Sequence, residues 1–171
     1  MRKILCIALA AAVVMPYGYG AQMRGEERDQ FALLKNEFIS NAENGNLSKV
    51  KELIKEDLKK ETPELTDPTY GVLDEAIKAA IDSGHAKVVE YLITTKNAKI
   101  NTKTNTDLQY AKNELTPFLE QAQTKRGNDK KTSDYKRYDK VVKVIKKERA
   151  RLQKMIDRNI DREQRTAIFY R

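Results

Sequence analysis

The sequence predicts an all-α fold of short helices closed by a long C-terminal helix. Three observations carry that reading. Apolar residues recur at three- and four-residue steps through most of the chain, which is the spacing of one helix face. Charged residues fill 34% of the 171 positions, with only 7 glycines and 4 prolines. That composition suits charged helices better than a sheet with tight turns. Finally, the stretch Ile81–Asn101, IDSGHAKVVEYLITTKNAKIN, reads as helix, glycine corner, helix and return loop. The length fits a single domain.

Taken in order, Arg2 and Lys3 precede an uncharged apolar run from Ile4 to Met15, and Gly18 and Gly20 follow it. This pattern predicts a cleavable signal peptide over residues 1–20, cut after Gly20 or Ala21. The run of about 12 residues falls short of the ~20 that a membrane span needs. The expected destination is secreted or periplasmic, with no stable membrane span after cleavage. Losing Arg2 and Lys3 takes the formal charge from +8 to +6, because residues 1–20 hold no acid. Cys6 is the only cysteine, so the cleaved chain would hold none and would depend on packing for stability.

Residues 21–28 are polar and read as a flexible lead-in. From Asp29 a helical period begins, with Phe31, Leu34, Phe38 and Ala42 on one face and Leu33 and Ile39 widening it. Asn44-Gly45 ends that helix, and Asn46 or Ser48 can cap the next. The next helix carries Leu47, Val50, Leu53, Ile54 and Leu58. Lys60–Gly71, KETPELTDPTYG, is a loop by its Pro63, Asp67-Pro68 and Gly71. Leu73, Ile77, Ala80 and Ile81 form the face of a third helix, ending at Ser83. Gly84 can take the left-handed conformation that closes a helix without a Cβ clash. His85 starts a fourth helix with Val88, Val89, Leu92 and Ile93 on one face, and a turn is expected at Asn97-Ala98.

Beyond the polar stretch Asn101–Asp107, the residues Leu108, Ala111 and Leu115 suggest a short helical segment. Thr116-Pro117 then reads as an N-cap followed by proline at the first helical position, where its missing N–H is harmless. Phe118, Leu119 and Ala122 would face the core, and Lys125–Ser133 interrupts. The last helix, expected from about Ser133 to about Ile160, contains no glycine or proline. Val141, Val142, Ile145, Leu152, Met155, Ile156 and Ile160 make its apolar stripe. It either packs back or projects. The tail Thr166–Arg171 either folds back or forms an exposed apolar tag.

The residues Ala80, Gly84-His85, Val88-Val89, Leu92-Ile93 and Ala98…Asn101 resemble an ankyrin repeat. The departures are Glu75-Ala76-Ile77-Lys78 in place of the T-P-L-H opening, Asn97 in place of the turn glycine, and one extra residue before that turn. Ala42…Gly45-Asn46…Val50…Leu53-Ile54 resembles a second repeat. Thr116-Pro117-Phe118-Leu119 with Asp139–Ile145 resembles a third. The resemblance covers roughly residues 29–148 and implies a short helical solenoid of two to three repeats. It divides the chain into ankyrin-like repeats over 29–132 and a long basic helix over 133–171 that completes or caps the stack. Gly45 and Gly84 lie 39 residues apart against a family period of about 33, and the surplus falls in the Lys60–Gly71 loop.

The resemblance implies a non-catalytic protein–protein interaction module. By it, partner-contacting positions are Glu43 and Asn44, Asp82 and Ser83, and Gln123 and Thr124, each pair lying just before a corner. Val72 and Asp74 join them beside the Gly71 finger tip. The alternative is polyanion binding, to nucleic acid or an anionic surface, through Lys140, Lys143, Lys147, Arg151, Lys154 and Arg158 on the last helix. The same cations also fit a solvated face on a capping helix. A homodimer through the last helix is a third possibility. No cofactor and no metal is expected. His85 is the only histidine, so a histidine–cysteine pair has no second member after cleavage. No Gly-x-Ser-x-Gly turn presents a nucleophile, and the scattered glycines make no phosphate loop.

Overall fold

A computed structural model describes residues 25–98 and 104–169, with side chains over 28–98 and 104–165. The expected signal peptide, the closing Ile100-Asn101 and the side chains of the tail lie outside these residues. The described residues are helical with connecting turns. In order they form α1 (Gly25–Glu43), α2 (Leu47–Asp57), a 3-10 turn (Pro68–Tyr70), α3 (Val72–Asp82), α4 (Ala86–Ala98), α5 (Asn105–Arg126) and α6 (Ser133–Phe169).

Local chemistry sets the two short corners. Gly45 and Gly84 sit at φ +72° and +73°, where an L side chain is strained. Asn46 caps α2, its side chain accepting from Lys49 N at 3.4 Å. A Cβ on Gly45 would meet the His85 ring at 2.5 Å, and one on Gly84 would meet Arg137 Cγ at 2.7 Å. Each corner is thus covered by a side chain from the helix pair that follows it. Asn46, His85 and Tyr138 each stand four residues before a buried valine: Val50, Val89 and Val142.

The helices form three pairs, α1 with α2, α3 with α4 and α5 with α6. Across the pairs, α1 meets α3 and α3 meets α5, while α2 meets α4 and α4 meets α6. The remaining helix–helix contacts are marginal, so first and second helices form two rows. Phe38, Ile77, Ile81, Leu115 and Phe118 are buried along the first row. Val50, Ile54, Val89, Leu92, Ile93 and Ile145 are buried along the second. A large aliphatic side chain buried this way contributes about 1.5–3 kcal/mol.

The loop after α2 is pinned by a carboxylate. Asp57 is buried, and its Oδ1 accepts from Glu64 N at 2.9 Å and Leu65 N at 3.1 Å. Its Oδ2 accepts from Thr66 N and Thr66 Oγ1, both at 3.1 Å. Those bonds hold Leu65 and Thr66 in the interior, where both are buried.

Four boundaries differ from those expected. Helix α1 starts at Gly25, four residues before the apolar period, which takes in part of the expected lead-in. Helix α4 runs through Asn97 and Ala98 instead of turning there. Asn97 is buried and donates from Nδ2 to Glu148 Oε1 at 2.9 Å, so a tertiary contact holds it helical. Helix α5 runs through Pro117, correcting the helix start expected at Thr116-Pro117. The stripe Leu108, Ala111, Leu115, Phe118, Leu119 and Ala122 stays buried without a break. Pro117 and Asn113 lie on the exposed side, so the carbonyl deprived of a partner faces water. The cap is instead Thr104, whose side chain accepts from Asp107 N at 3.3 Å. Finally, α6 reaches Phe169, nine residues past Ile160.

Helix α6 packs on α5 and α4 up to Ile156, which is buried. Beyond it every side chain from Asp157 to Arg165 is exposed except Asn159, which is partly so. At about 1.5 Å per residue, the helix from Asp157 to Phe169 projects about 20 Å. No helix among the described residues is long and apolar enough to cross a membrane.

Candidate interaction surfaces

Six of the eight residues singled out for protein contact lie at one end of the first-helix row. Glu43 and Asn44 end α1, Asp82 and Ser83 end α3, and Gln123 and Thr124 sit in the last turn of α5. Lateral bonds set the register of that row. Lys35 of α1 meets Glu75 of α3 at 2.7 Å, and Gln121 of α5 donates to the Lys78 carbonyl at 3.4 Å. At the end itself, Lys125 pairs with Asp82 at 2.9 Å, and that bond holds the Asp82 carboxyl below its ordinary range. The Tyr138 hydroxyl donates to the Asp82 carbonyl and fixes α6 against the same corner. Glu43, Asn44, Asp82 and Thr124 are exposed, while Ser83 and Gln123 are half-buried.

Val72 and Asp74 lie at the opposite end, where α3 begins. Val72 is fully buried and its side chain serves the core. Asp74 belongs to an ionic knot. Lys96 Nζ lies 2.6 Å from Asp74 Oδ1 and 2.9 Å from Glu114 Oε2, tying α4 to both α3 and α5. Burial disfavours the Lys96 ammonium, but the two carboxylates outweigh it and leave its pKa raised. Burial also pushes Glu114 up, while the Tyr110 hydroxyl and Lys96 outweigh it and hold Glu114 below its ordinary value. The knot forms one wall of a cavity of about 260 Å³, whose other walls include Asp67, Pro68 and Leu73.

The cations singled out on α6 form a ridge. Lys140, Lys143, Lys147, Arg151, Lys154 and Arg158 follow one another at three- or four-residue steps, and all are exposed. Three of them have acidic neighbours. Lys143 meets Asp139 at 2.7 Å, Lys147 meets Glu90 at 3.3 Å, and Arg151 meets Glu148 at 2.7 Å. Between α4 and α6 lies a second hollow, about 380 Å³, whose walls include Ile93, Thr94, Val144 and Lys147.

Sequence reasoning missed Asp57, Lys96 and Lys136. Asp57 carried a signal, since an acid in the last turn of a helix opposes the helix dipole and asks for another reason to be there. Lys136 precedes Lys140 by four residues and extends the ridge backwards. Lys96 is one of many lysines, and nothing local marks it. Among the described residues no three His, Cys, Asp or Glu side chains gather in a metal-binding group. No family model matches the chain, nor does any curated protein or solved structure.

Proposed function

We propose that the chain is a non-catalytic protein-binding module of ankyrin-repeat type, acting through the row of helix ends at Glu43-Asn44, Asp82-Ser83 and Gln123-Thr124. The observation that carries this reading is the two-row order of helix contacts. Helix pairs stacked in that way bury their apolar sides against each other and leave their ends as a continuous edge. The covered corners at Gly45 and Gly84 support it, because each pair grips the one before it in a similar manner. Polar residues at matching positions on successive first helices, four of the six exposed, give a partner several contacts spaced about one helix diameter apart.

The test is affinity capture by the immobilised chain, in nuclease and at moderate salt, beside a Glu43→Lys/Asp82→Asn/Gln123→Lys variant. One discrete protein retained by the native chain and lost by an equally stable variant is the expected result. Identical recovery on both surfaces would remove the row from the function.

A further inference from the structure

The charge of this chain is segregated. Residues 21–124 hold 14 Lys and Arg against 18 Asp and Glu, a formal −4, whereas residues 125–171 hold 17 against 7, a formal +10. The stacked helices before the last connection are therefore mildly acidic, and the last connection and α6 carry the chain's positive charge.

Within α6 the cations are ordered. Lys136, Lys140, Lys143, Lys147, Arg151, Lys154 and Arg158 repeat at steps of four, three, four, four, three and four. That places them on one helix face, over about 33 Å at 1.5 Å per residue. Lys136, Lys140, Lys154 and Arg158 make no ion pair among the described residues. The pairs at Lys143 and Lys147 are largely exposed, with lysine side chains 74% and 79% accessible, and exposed pairs of this kind hold weakly. Six of the seven cationic groups are therefore available to an outside anion, while Arg151 is held by two hydrogen bonds to Glu148 at 2.8 and 2.7 Å.

We propose that this ridge binds the phosphate backbone of a nucleic acid duplex, without selecting its base sequence. A rigid row of evenly spaced cations matches a rigid polyphosphate, and release of counterions drives the association. The ridge presents no exposed aromatic side chain to stack on bases, and five of its seven cations are lysines, which meet phosphate as point charges. Tyr135 lies against the Arg126 guanidinium, and Tyr138 is buried. A lipid surface fits less well, because an interfacial helix needs an apolar face to insert. On the described part of α6 the one exposed large apolar side chain is Ile160, beyond the ridge. The inference does not depend on the protein-binding reading, since no residue of the ridge belongs to the row of helix ends.

The experiment is fluorescence anisotropy of the full chain with two labelled 20-base-pair duplexes of unrelated sequence, from 50 to 200 mM salt. Vesicles containing phosphatidylglycerol are run in parallel. With at least four phosphates neutralised, the slope of log K against log salt is about −3.6 or steeper, and affinity falls about 150-fold or more across that range. Both duplexes bind alike. Lys136→Gln/Lys140→Gln/Lys154→Gln/Arg158→Gln flattens the slope by about 3.6. Removing the same charge at Lys55, Lys59, Lys78 and Lys87 leaves most of the affinity in place. Melting temperatures of both variants establish that they are folded. Equal losses in the two variants, a slope shallower than about −2, or tighter binding to vesicles than to duplex would each overturn the proposal.

Discussion

The first two helix pairs and the third are built differently. In α1–α4 the helices run 11 to 19 residues, and each pair turns on a left-handed glycine that the next pair covers. In α5–α6 the helices run 22 and 37 residues. At the connection after α5, Gly127 has φ +64° with ψ −164°, outside the left-handed helical region, and nothing lies within 4 Å of where its Cβ would sit. The first region keeps a tight register and is acidic overall. The last pair lets the register go and carries the positive charge. Where a following pair covers the corner, the sequence is spent on packing. At the end of the stack one face is free, and charge and length vary there.

The largest effect that would sharpen this contrast is at Asp57. Replacing it with alanine leaves three backbone donors and the Thr66 hydroxyl without their carboxylate, and should cost about 3 kcal/mol in urea unfolding. A loss below about 1 kcal/mol would mean that the loop holds without it. Next come the glycines. Gly45→Ala should cost about 2–3 kcal/mol, combining left-handed strain with the His85 ring. Gly71→Ala, at a left-handed glycine with nothing within 4 Å of where its Cβ would sit, should cost about 1 kcal/mol, from strain alone. Equal losses would break the distinction between a covered and an open corner. Pro117→Ala restores a helical N–H and should stabilise the chain by about 1 kcal/mol, read as a rise in the urea midpoint.

The smallest effect is a pH dependence at the α4–α6 contact. Burial pushes the Glu148 carboxyl up, but Arg151 and Asn97 outweigh it and hold it below its ordinary 4.5. A depressed folded pKa gives stability that is present above the unfolded value and lost as pH falls through the folded one. Melting temperature should therefore fall with acidification below about pH 4.5. Glu148→Gln should lower it at pH 7 and make that acid limb shallower. An unchanged limb would place the acid sensitivity elsewhere, at groups such as Glu114 or Asp82, which are depressed likewise.

Much of the first region was legible in the sequence because its signals are local. The Gly45 and Gly84 corners, the Asn46 cap and the apolar faces of α3 and α4 follow from short patterns, and the structure has them where they were expected, whereas Leu33 and Leu58, read into the faces of α1 and α2, are exposed. The failures are places where a distant contact outweighs a local preference. Thr116-Pro117 looks like a helix start, yet packing of the stripe from Leu108 to Ala122 carries α5 straight through it. Asn97 looks like a turn residue, yet Glu148 holds it in the helix. The ridge on α6 was legible because a three- and four-residue repeat of cations is itself local. The Lys96 knot was not, since its partners Asp74 and Glu114 are brought to it only by the stacking of three helices.

The division of labour between stack and ridge is tested most directly by two readouts on two variants. Urea unfolding and duplex binding are measured for Asp57→Ala and for Lys136→Gln/Lys140→Gln/Lys154→Gln/Arg158→Gln. If packing and charge are separate, Asp57→Ala loses about 3 kcal/mol of stability and keeps its duplex affinity while folded. The ridge variant stays within about 0.5 kcal/mol of the native chain and loses the duplex. If the ridge variant unfolds as readily as Asp57→Ala, or binds duplex as the native chain does, the two regions do not divide stability and binding between them.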